Sequence, residues 1–489
     1  MQYYPDLAKI EALAAAGQYR VAPLCCEILS DVRTPIEVLR ALKKVSEHCY
    51  LLESVSGGEK WGRYTFLGYN PQLEVTCKDG WLQMGDRGLQ TSHPEQYLRE
   101  LLSKYRSPRL EGLPSFTGGL VGYFSYDYLK YVEPGIDLDA ADTEGFKDFD
   151  LMLFEQVIAF DHLRQVIVLI TNLDLSQPAA RTYARGVREL EQMARLIRQG
   201  QPKDEAPGRL QGALKPLFDQ PAYCAMVRQV KDYIRQGDLF QLVLSNRLSA
   251  PYEGSLLNCY RKLRVLNPSP YMFYFSGLDV EVAGASPETL VKLENGVLHT
   301  FPLAGTRPRG KTEAEDAALE QALLADEKEL AEHDMLVDLG RNDLGKIAEF
   351  GSVMVEQLHL IERFSHVMHI GSTVRARLRE GCDALDAIAA VLPAGTLSGA
   401  PKLRACQRIR ELENNKRGIY GGAIGYLDFT GNLDTCIAIR IAYKKNGQVF
   451  IRSGAGIVAD SVPETEYQEC INKAAAVVLA LQEAEEAEL

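Results

Sequence analysis

At 489 residues the chain is too long for one ordinary core, and its length allows about two to four domains; hydrophobic residues, at 46%, are ample for a large interior. A formal net charge of −12 argues against general affinity for nucleic acid or an anionic membrane, and no apolar run approaches the ~20 residues needed to span a bilayer. The acidic N-terminus MQYYPDLAKIEAL carries no secretion signal, and ten scattered cysteines with only one vicinal pair, Cys25–Cys26, fit reduced thiols in a cytoplasm rather than disulfides or a zinc site.

The first half opens with a helical segment. RTPIEVLRALKKV follows with a clear helix start: Thr34 as cap, Pro35, and Glu37 to close a capping box. HCYLLES, RYTFLGYNPQLEVTC, WLQMG and GGLVGYFSYDYL read as strands separated by polar turns, which favours an antiparallel sheet. After LMLFEQVIAFDHLRQVIVLITNL comes a helix over 178–200, with Val187, Leu190, Ala194 and Ile197 at helical spacing. GQPKDEAPGRLQGALKP is rich in Pro, Gly and charge. The expected organisation is therefore a region 1–200, a linker 201–216 and a region 217–489.

The second region starts with a helix ending at Gly237, then the strand FQLVLSNRL, a helix over 256–266, and NPSPYMFYF. Asn295-Gly296 and Asn446-Gly447 each separate extended segments, so LVKLENGVLHTF and IAIRIAYKKNGQVFIRS read as hairpins. Between them the pattern predicts one long helix over 312–334 and helices over 383–392 and 402–414. The fold class is α+β: antiparallel β-sheets packed together with helices on the outside, in α/β/β/α layers, with a cleft between subdomains.

Chemistry concentrates in SGAGIVADSVPETEYQECINK, residues 453–473. Ser461 and Glu464 have capping-box spacing, Pro463 falls in the first helical turn, and Glu466 and Glu469 leave the same face, with Lys473 beside them. A second pair, Glu329 and Glu332, lies in the earlier long helix, where Thr312 and Glu315 have capping-box spacing. Each Glu-x-x-Glu pair reads as a solvated helix face or as half of a four-carboxylate Mg2+ site; spacing alone does not decide between them. Arg440 lies on a strand face with the small residues Cys436, Ala438 and Ala442, as an exposed strand arginine or as a carboxylate-binding one in a cleft. His366 and His369 are three apart, with no third ligand at zinc spacing. Residues 305–312, GTRPRGKT, satisfy the phosphate-loop pattern, and Met335-Leu-Val-Asp338 resembles the magnesium-binding strand that accompanies it. An NTPase is the alternative this raises. Pro308 removes an amide from the middle of such a loop, and Glu313, Glu315 and Asp316 would stand where a triphosphate sits.

GDLFQLVLSNR, GASPETL, PLAGTRPRG, ELAEHDMLVDLGRNDLGKI, FSHVMHIGS, LPAGTLSGAPK, YGGAIGY and CIAIRIA precede the 453–473 segment in order. In this series the chain resembles the chorismate-utilising enzymes, along its whole length the anthranilate synthase component I family. The resemblance implies amination of chorismate with ammonia and loss of pyruvate to give anthranilate, with Mg2+ held by Glu329, Glu332, Glu466 and Glu469. It implies Glu288 as general acid, His369 assisting elimination, and Thr396 contacting substrate. Tyr420, Arg440, Lys473 and the backbone of Gly454, Ala455 and Gly456 would hold carboxylates, and Ala304, Gly305 and Thr306 would line the same site. Gln241, where isochorismate and salicylate synthases carry lysine, favours ammonia over water. Ala304, where aminodeoxychorismate synthases carry lysine, favours anthranilate over the para-amino product, the product of the nearest rival within the family. LLES (Leu52, Glu53 and Ser54 within it) and NPSPYM (Asn267, Pro268, Ser269, Pro270, Tyr271, Met272) resemble the family's tryptophan feedback site. No glutamine-amidotransferase nucleophile loop is present, so a separate amidotransferase subunit is expected to supply ammonia from glutamine.

Overall fold

The computed structural model describes residues 1–54, 62–363 and 367–485. Among them, two large antiparallel sheets of 14 and 12 strands organise the chain. The strands that build the site are numbered here in chain order. From the first half come β1 (Cys49–Glu53) and β2 (Gly119–Phe124). Next are β3 (Gln241–Glu253), β4 (Tyr271–Ser276), β5 (Glu281–Ser286), β6 (Thr289–Glu294), β7 (Val297–Thr300) and β8 (Leu303–Pro308). The last are β9 (Val367–Arg377), β10 (Ala423–Asp428), β11 (Leu433–Ile437), β12 (Ile441–Lys445) and β13 (Gln448–Ile457). One sheet runs β1-β4-β5-β12-β13-β3 through its centre, and the other runs β8-β9-β7-β6-β11-β10-β2.

Both sheets take strands from each half of the chain: Glu53 of β1 faces Met272 of β4, and Gly122 of β2 faces Gly425 of β10. Residues 209–210 and 215–216 add short strands to β3. The sheets pack face to face over an aromatic core in which Tyr50, Phe273 and Tyr443 of one meet Tyr123, Phe154 and Tyr426 of the other. Each outer face carries helices over its own apolar cluster, so the layers are α/β/β/α. None of the described helices is long and apolar enough to cross a membrane.

Local signals explain many of the elements. In helix α1 (Pro35–Val45) the Glu37 amide donates to the Thr34 hydroxyl at 3.3 Å and the Thr34 amide to Glu37 at 2.9 Å. Both Asn-Gly pairs form tight hairpin turns with positive φ at each residue, 54° and 77° at Asn295-Gly296, 51° and 71° at Asn446-Gly447.

Four expectations need correction. The single helix over 312–334 is two helices, α2 (Glu313–Leu324) and α3 (Glu327–Gly345). Asp326 breaks the run because its carboxylate caps the new helix at the amides of Lys328 and Glu329. RYTFLGYNPQLEVTC divides into strands Tyr64–Tyr69 and Leu73–Lys78 that belong to different sheets. The strand read through 436–443 breaks between β11 and β12, where the chain leaves one sheet for the other. Finally, Ser461 does not cap the terminal helix, because its hydroxyl accepts from the Val458 amide at 3.0 Å; helix α5 (Pro463–Gln482) begins at Pro463 without a side-chain cap.

Candidate active site

Two of the chain's passages between the sheets, at 286–289 and at 437–441, are bonded together. The Ser286 hydroxyl donates to the Ile437 carbonyl at 2.7 Å, the Ile437 amide to the Glu288 carbonyl at 3.0 Å, and the Ala285 amide to the Arg440 carbonyl at 3.1 Å. Glu288 lies in the first passage and Arg440 in the second. This second passage explains why Arg440 leaves the strand pattern: its φ of +53° places it in the left-handed region, turning the backbone from β11 into β12.

The Glu288 carboxyl lines a small cavity of about 50 Å3 with Thr396, Leu336, Asp343 and Ala394 among its walls. Burial pushes its pKa up to about 8, against the favourable Thr396 hydroxyl at 3.2 Å and the nearby Lys473 cation. It is therefore a carboxylic acid at neutral pH. Thr396 sits in a 3-10 turn, Gly395–Leu397, ahead of helix α4 (Lys402–Glu413). Asp343, on the same cavity wall, is neutralised by Lys402 at 2.5 Å and Lys346 at 3.2 Å.

Burial lowers the pKa of the Arg440 guanidinium, with Tyr420 offsetting part of the loss. No carboxylate among the described residues forms an ion pair with it. A partly desolvated guanidinium in such surroundings suits a planar anion. Next to it the buried Tyr420 hydroxyl reaches Gly454 so closely that a Cβ there would stand 3.0 Å from it and 2.6 Å from the Leu244 carbonyl. Gly456 is under the same constraint from Gln241, whose Nε2 would be 2.8 Å from a Cβ. Ala455, between them, turns its methyl into the core with Leu242 and Leu244, so it offers the site only its backbone.

His369 on β9 lies opposite Thr306 of β8, and the bulge at Gly305 brings its Nδ1 to the Gly305 carbonyl at 2.9 Å and the Thr306 hydroxyl at 3.1 Å. A carbonyl acceptor fixes the proton on Nδ1 and leaves Nε2 as the basic nitrogen. Burial and Arg440 lower its pKa, so the ring is neutral. Ala304 faces Ile370 across the same strand pair. His366 lies outside the described residues.

The two carboxylate pairs approach from helices α3 and α5. Burial raises the pKa of Glu332, with Glu329 and Glu469 adding to the rise, and burial raises that of Glu466, with Glu469 adding. Lys328 and Lys473 oppose both shifts, Lys473 while paired with Glu469 at 2.7 Å. Gly305 completes the connection: a Cβ there would be 3.2 Å from the Glu329 carboxylate. The four glutamates do not gather to within 4.8 Å of one another; among the described residues the three acids that do are Glu74, Asp150 and Asp279, which surround the ammonium of Lys147. Four mutually repelling carboxylates on facing helices are the donor set that a hard divalent cation fits. Sequence reasoning missed Lys328 and also Arg307, which reaches Glu329 at 3.6 Å and Asp326 at 2.8 Å. It missed Asp343 as well. Both Arg307 and Asp343 lie inside segments quoted for the family resemblance.

The phosphate-loop pattern has another physical role. Gly305–Pro308 is the end of strand β8, and the acids of α2 occupy the amides a phosphate would need: Gly310 donates to Asp316 at 2.7 Å and Lys311 to Glu315 at 2.8 Å. The Thr312 hydroxyl caps α2, but Glu315 reaches back to Lys311 rather than to Thr312, so the capping box is incomplete. Asp338 lies in helix α3, not on a strand.

LLES and NPSPYM meet in space. Leu52 faces Phe273 and Glu53 faces Met272 across β1 and β4, with Ser54 at the strand end. The Glu53 carboxylate accepts from the Tyr260 hydroxyl and from Arg264, both at 2.5 Å. Asn267, Pro268, Ser269 and Pro270 form the turn before β4, closed by the Ser269 hydroxyl on the Asn267 carbonyl at 3.1 Å. Tyr271 donates to Asp434 at 2.8 Å and lies opposite Ser286, two residues from Glu288.

Residues 14–479 match the chorismate binding enzyme family. Anthranilate synthase component 1 from Acetivibrio thermocellus is 44% identical over 99% of both chains, and that from Pseudomonas aeruginosa is 45% identical over 97% of this chain and 98% of that protein. The crystal structure of anthranilate synthase component I from Streptococcus pneumoniae superposes with a TM-score of 0.76 at 38% identity, covering 92% of this chain and 98% of that one. The menaquinone-specific isochorismate synthase MenF from Escherichia coli, at 19% identity, TM-score 0.70 and coverage of 98% and 100%, shares the fold. The chain therefore belongs to the anthranilate synthase component I family of chorismate-binding enzymes.

Proposed function

We propose that the chain converts chorismate and ammonia to anthranilate and pyruvate, as the large subunit at the start of a tryptophan-forming sequence. The observation that carries this reading is a buried carboxylic acid, Glu288, protonated at neutral pH and bonded through one backbone crossing to an arginine without a carboxylate partner among the described residues. Arg440, Tyr420 and the Gly454 and Gly456 amides would hold the substrate carboxylates. Glu288 gives its proton to the departing ring hydroxyl, which leaves as water, while ammonia forms the new carbon–nitrogen bond. Gln241 fits this assignment: a neutral amide beside Gly456 offers no base to activate water, and ammonia needs none. His369, neutral with Nε2 basic, removes the ring proton whose loss restores aromaticity as the enolpyruvyl group departs as pyruvate.

Glu329, Glu332, Glu466 and Glu469 would hold Mg2+, which when bound supplies charge neutralisation for a substrate carboxylate. Lys473 and Lys328 offset part of the repulsion among these acids. The names of the relatives imply a second component. A glutamine amidotransferase subunit is the partner proposed, because none of the ten cysteines lies in the nucleophile loop of such an enzyme. Tryptophan is proposed to bind between LLES and NPSPYM and to inhibit.

The test uses the purified chain with chorismate, Mg2+ and ammonium. Anthranilate fluorescence and an equal amount of pyruvate are the expected products, with no turnover of glutamine until an amidotransferase component is added. A para-amino product without pyruvate would assign the rival reaction. ATP hydrolysis abolished by Lys311→Ala would restore the NTPase reading.

A further inference from the structure

Arg417 follows helix α4 and is completely buried, at 0% exposure. Its guanidinium bonds to two carbonyls and a carboxylate. Nη1 donates to the Leu397 carbonyl at 2.6 Å, Nη2 to the Val243 carbonyl at 2.8 Å and to Glu413 at 2.5 Å, and Nε to Glu413 at 2.9 Å. The guanidinium carbon lies 4.7 Å from the centre of the Tyr126 ring and 5.9 Å from that of Tyr420. Glu413 extends the fork by accepting the Ser245 amide at 2.7 Å and its hydroxyl at 3.0 Å.

Each of these groups adjoins part of the site. Leu397 closes the turn that presents Thr396 to Glu288. Val243 and Ser245 lie on β3 opposite Gly456 and Gly454, two and four residues beyond Gln241. Tyr420 stands against Gly454. A buried ion pair is a weak source of net stability, since desolvation offsets most of its attraction and apolar side chains of similar volume fill a core as well. A planar fork can, however, hold two backbone carbonyls from separate segments at a fixed separation, which apolar side chains cannot do.

We infer that Arg417 is a positioning residue: clamped by Glu413, it ties the Thr396 turn to the strand that carries Gln241 and faces Gly454 and Gly456. This rests on the reading of Glu288 as the general acid. The charged groups that face Glu288 are Lys473 on α5 and, on α3, Asp343 with its partners Lys402 and Lys346. None of them contacts Arg417, so a change in Arg417 reaches Glu288 through the Thr396 turn.

The experiment is a pH profile of kcat for anthranilate formation, with free ammonia held constant by adjusting total ammonium at each pH. Wild type is compared with Glu288→Gln, Thr396→Val and Arg417→Lys. The Thr396 hydroxyl favours the ionised form of Glu288, so Thr396→Val moves the alkaline limb to higher pH. Arg417→Lys is expected to move it the same way and to lower kcat by about tenfold to a hundredfold, as a displacement of about 1 Å does. A limb in Arg417→Lys that coincides with wild type while Thr396→Val moves overturns the inference and leaves the acid assignment standing. A limb that persists in Glu288→Gln removes the acid assignment and the inference with it. If Arg417→Lys does not fold, Glu413→Gln carries the comparison, because it loosens the clamp and leaves the guanidinium charged. Failure of both variants to fold assigns the pair to stability alone and overturns the inference.

Discussion

Glu288→Gln keeps the size and the hydrogen-bonding of the side chain and removes its acidity. With a pKa of about 8, roughly nine-tenths of the wild-type carboxyl is protonated at pH 7, so nearly the whole population can donate. General acids supply ~10²–10⁴ in rate, and kcat is expected to fall by about that factor. Stability should move the other way. The folded protein keeps a proton that the unfolded chain releases at its ordinary value of 4.5, so this contribution is complete below that value and is lost as pH rises towards about 8. At pH 7 the accumulated loss is about 3 kcal/mol at 1.36 kcal/mol per unit. Glutamine cannot ionise and escapes that loss. The variant should therefore be more stable than wild type at pH 7 by up to about 3 kcal/mol, with the difference vanishing near pH 4.5. Ammonia-dependent anthranilate fluorescence gives kcat, and denaturant midpoints at the two pH values give stability. A variant with near-wild-type kcat, or one whose stability difference does not change with pH, would refute the assignment.

Arg440→Met removes a desolvated cation that would meet a substrate carboxylate; KM for chorismate should rise by about a hundredfold, while unfolding midpoints hold or increase. An unchanged KM would place the carboxylate elsewhere. Glu466→Gln should raise the Mg2+ concentration needed for half-maximal activity by at least about tenfold and weaken the thermal shift Mg2+ produces in the absence of substrate. Equal Mg2+ responses in variant and wild type would sink the four-glutamate site. Ser54→Ala should raise the tryptophan concentration for half-inhibition and leave ammonia-dependent kcat nearly intact; a tryptophan titration that overlays wild type counts against the LLES–NPSPYM site.

How far the sequence disclosed the fold depends on the range of the forces involved. Features set within a few residues were legible: the Thr34–Glu37 cap, the two Asn-Gly hairpins, and the helices over 178–200 and 402–414. Features set by a distant partner were not. Asp326 looked like one more polar residue in a helix until its carboxylate turned to cap a new start. Arg440 fitted a strand by alternation, but the need to cross between sheets bent its backbone to a positive φ. Ser461 had the right offset for a cap, but its hydroxyl bonds backwards to Val458. The site divides in the same way. Each Glu-x-x-Glu pair was visible, whereas their approach depends on where α3 and α5 pack; it shows in the Glu469 charge, which adds to the burial that raises the pKa of Glu332. The role of Arg417 was not legible, because the two carbonyls it holds together come from segments 20 and 174 residues away.

The position of the site follows from the passages between sheets at 286–289 and 437–441. A chain leaving one sheet for another must interrupt its ladder, and the interruption frees side chains from the alternation that would bury or expose them. Ser286–Thr289 and Ile437–Ile441 lie side by side, so backbone groups of one passage also pair with the other across the gap. Glu288 and Arg440 are thereby held at the edge of the aromatic core by bonds that neither sheet could supply alone. The same arrangement brings the first half of the chain into contact with the chemistry. Glu53 pairs with Met272 on β4, and Tyr271, the next residue, pairs with Ser286, whose hydroxyl accepts from the Glu288 amide at 3.4 Å. A ligand that shifts β4 against β1 thus acts on the crossing itself, where a small displacement changes the direction of the Glu288 proton. Inhibition by that route would lower kcat and chorismate affinity together, because the Arg440 carbonyl is bonded to the same strand end at Ala285.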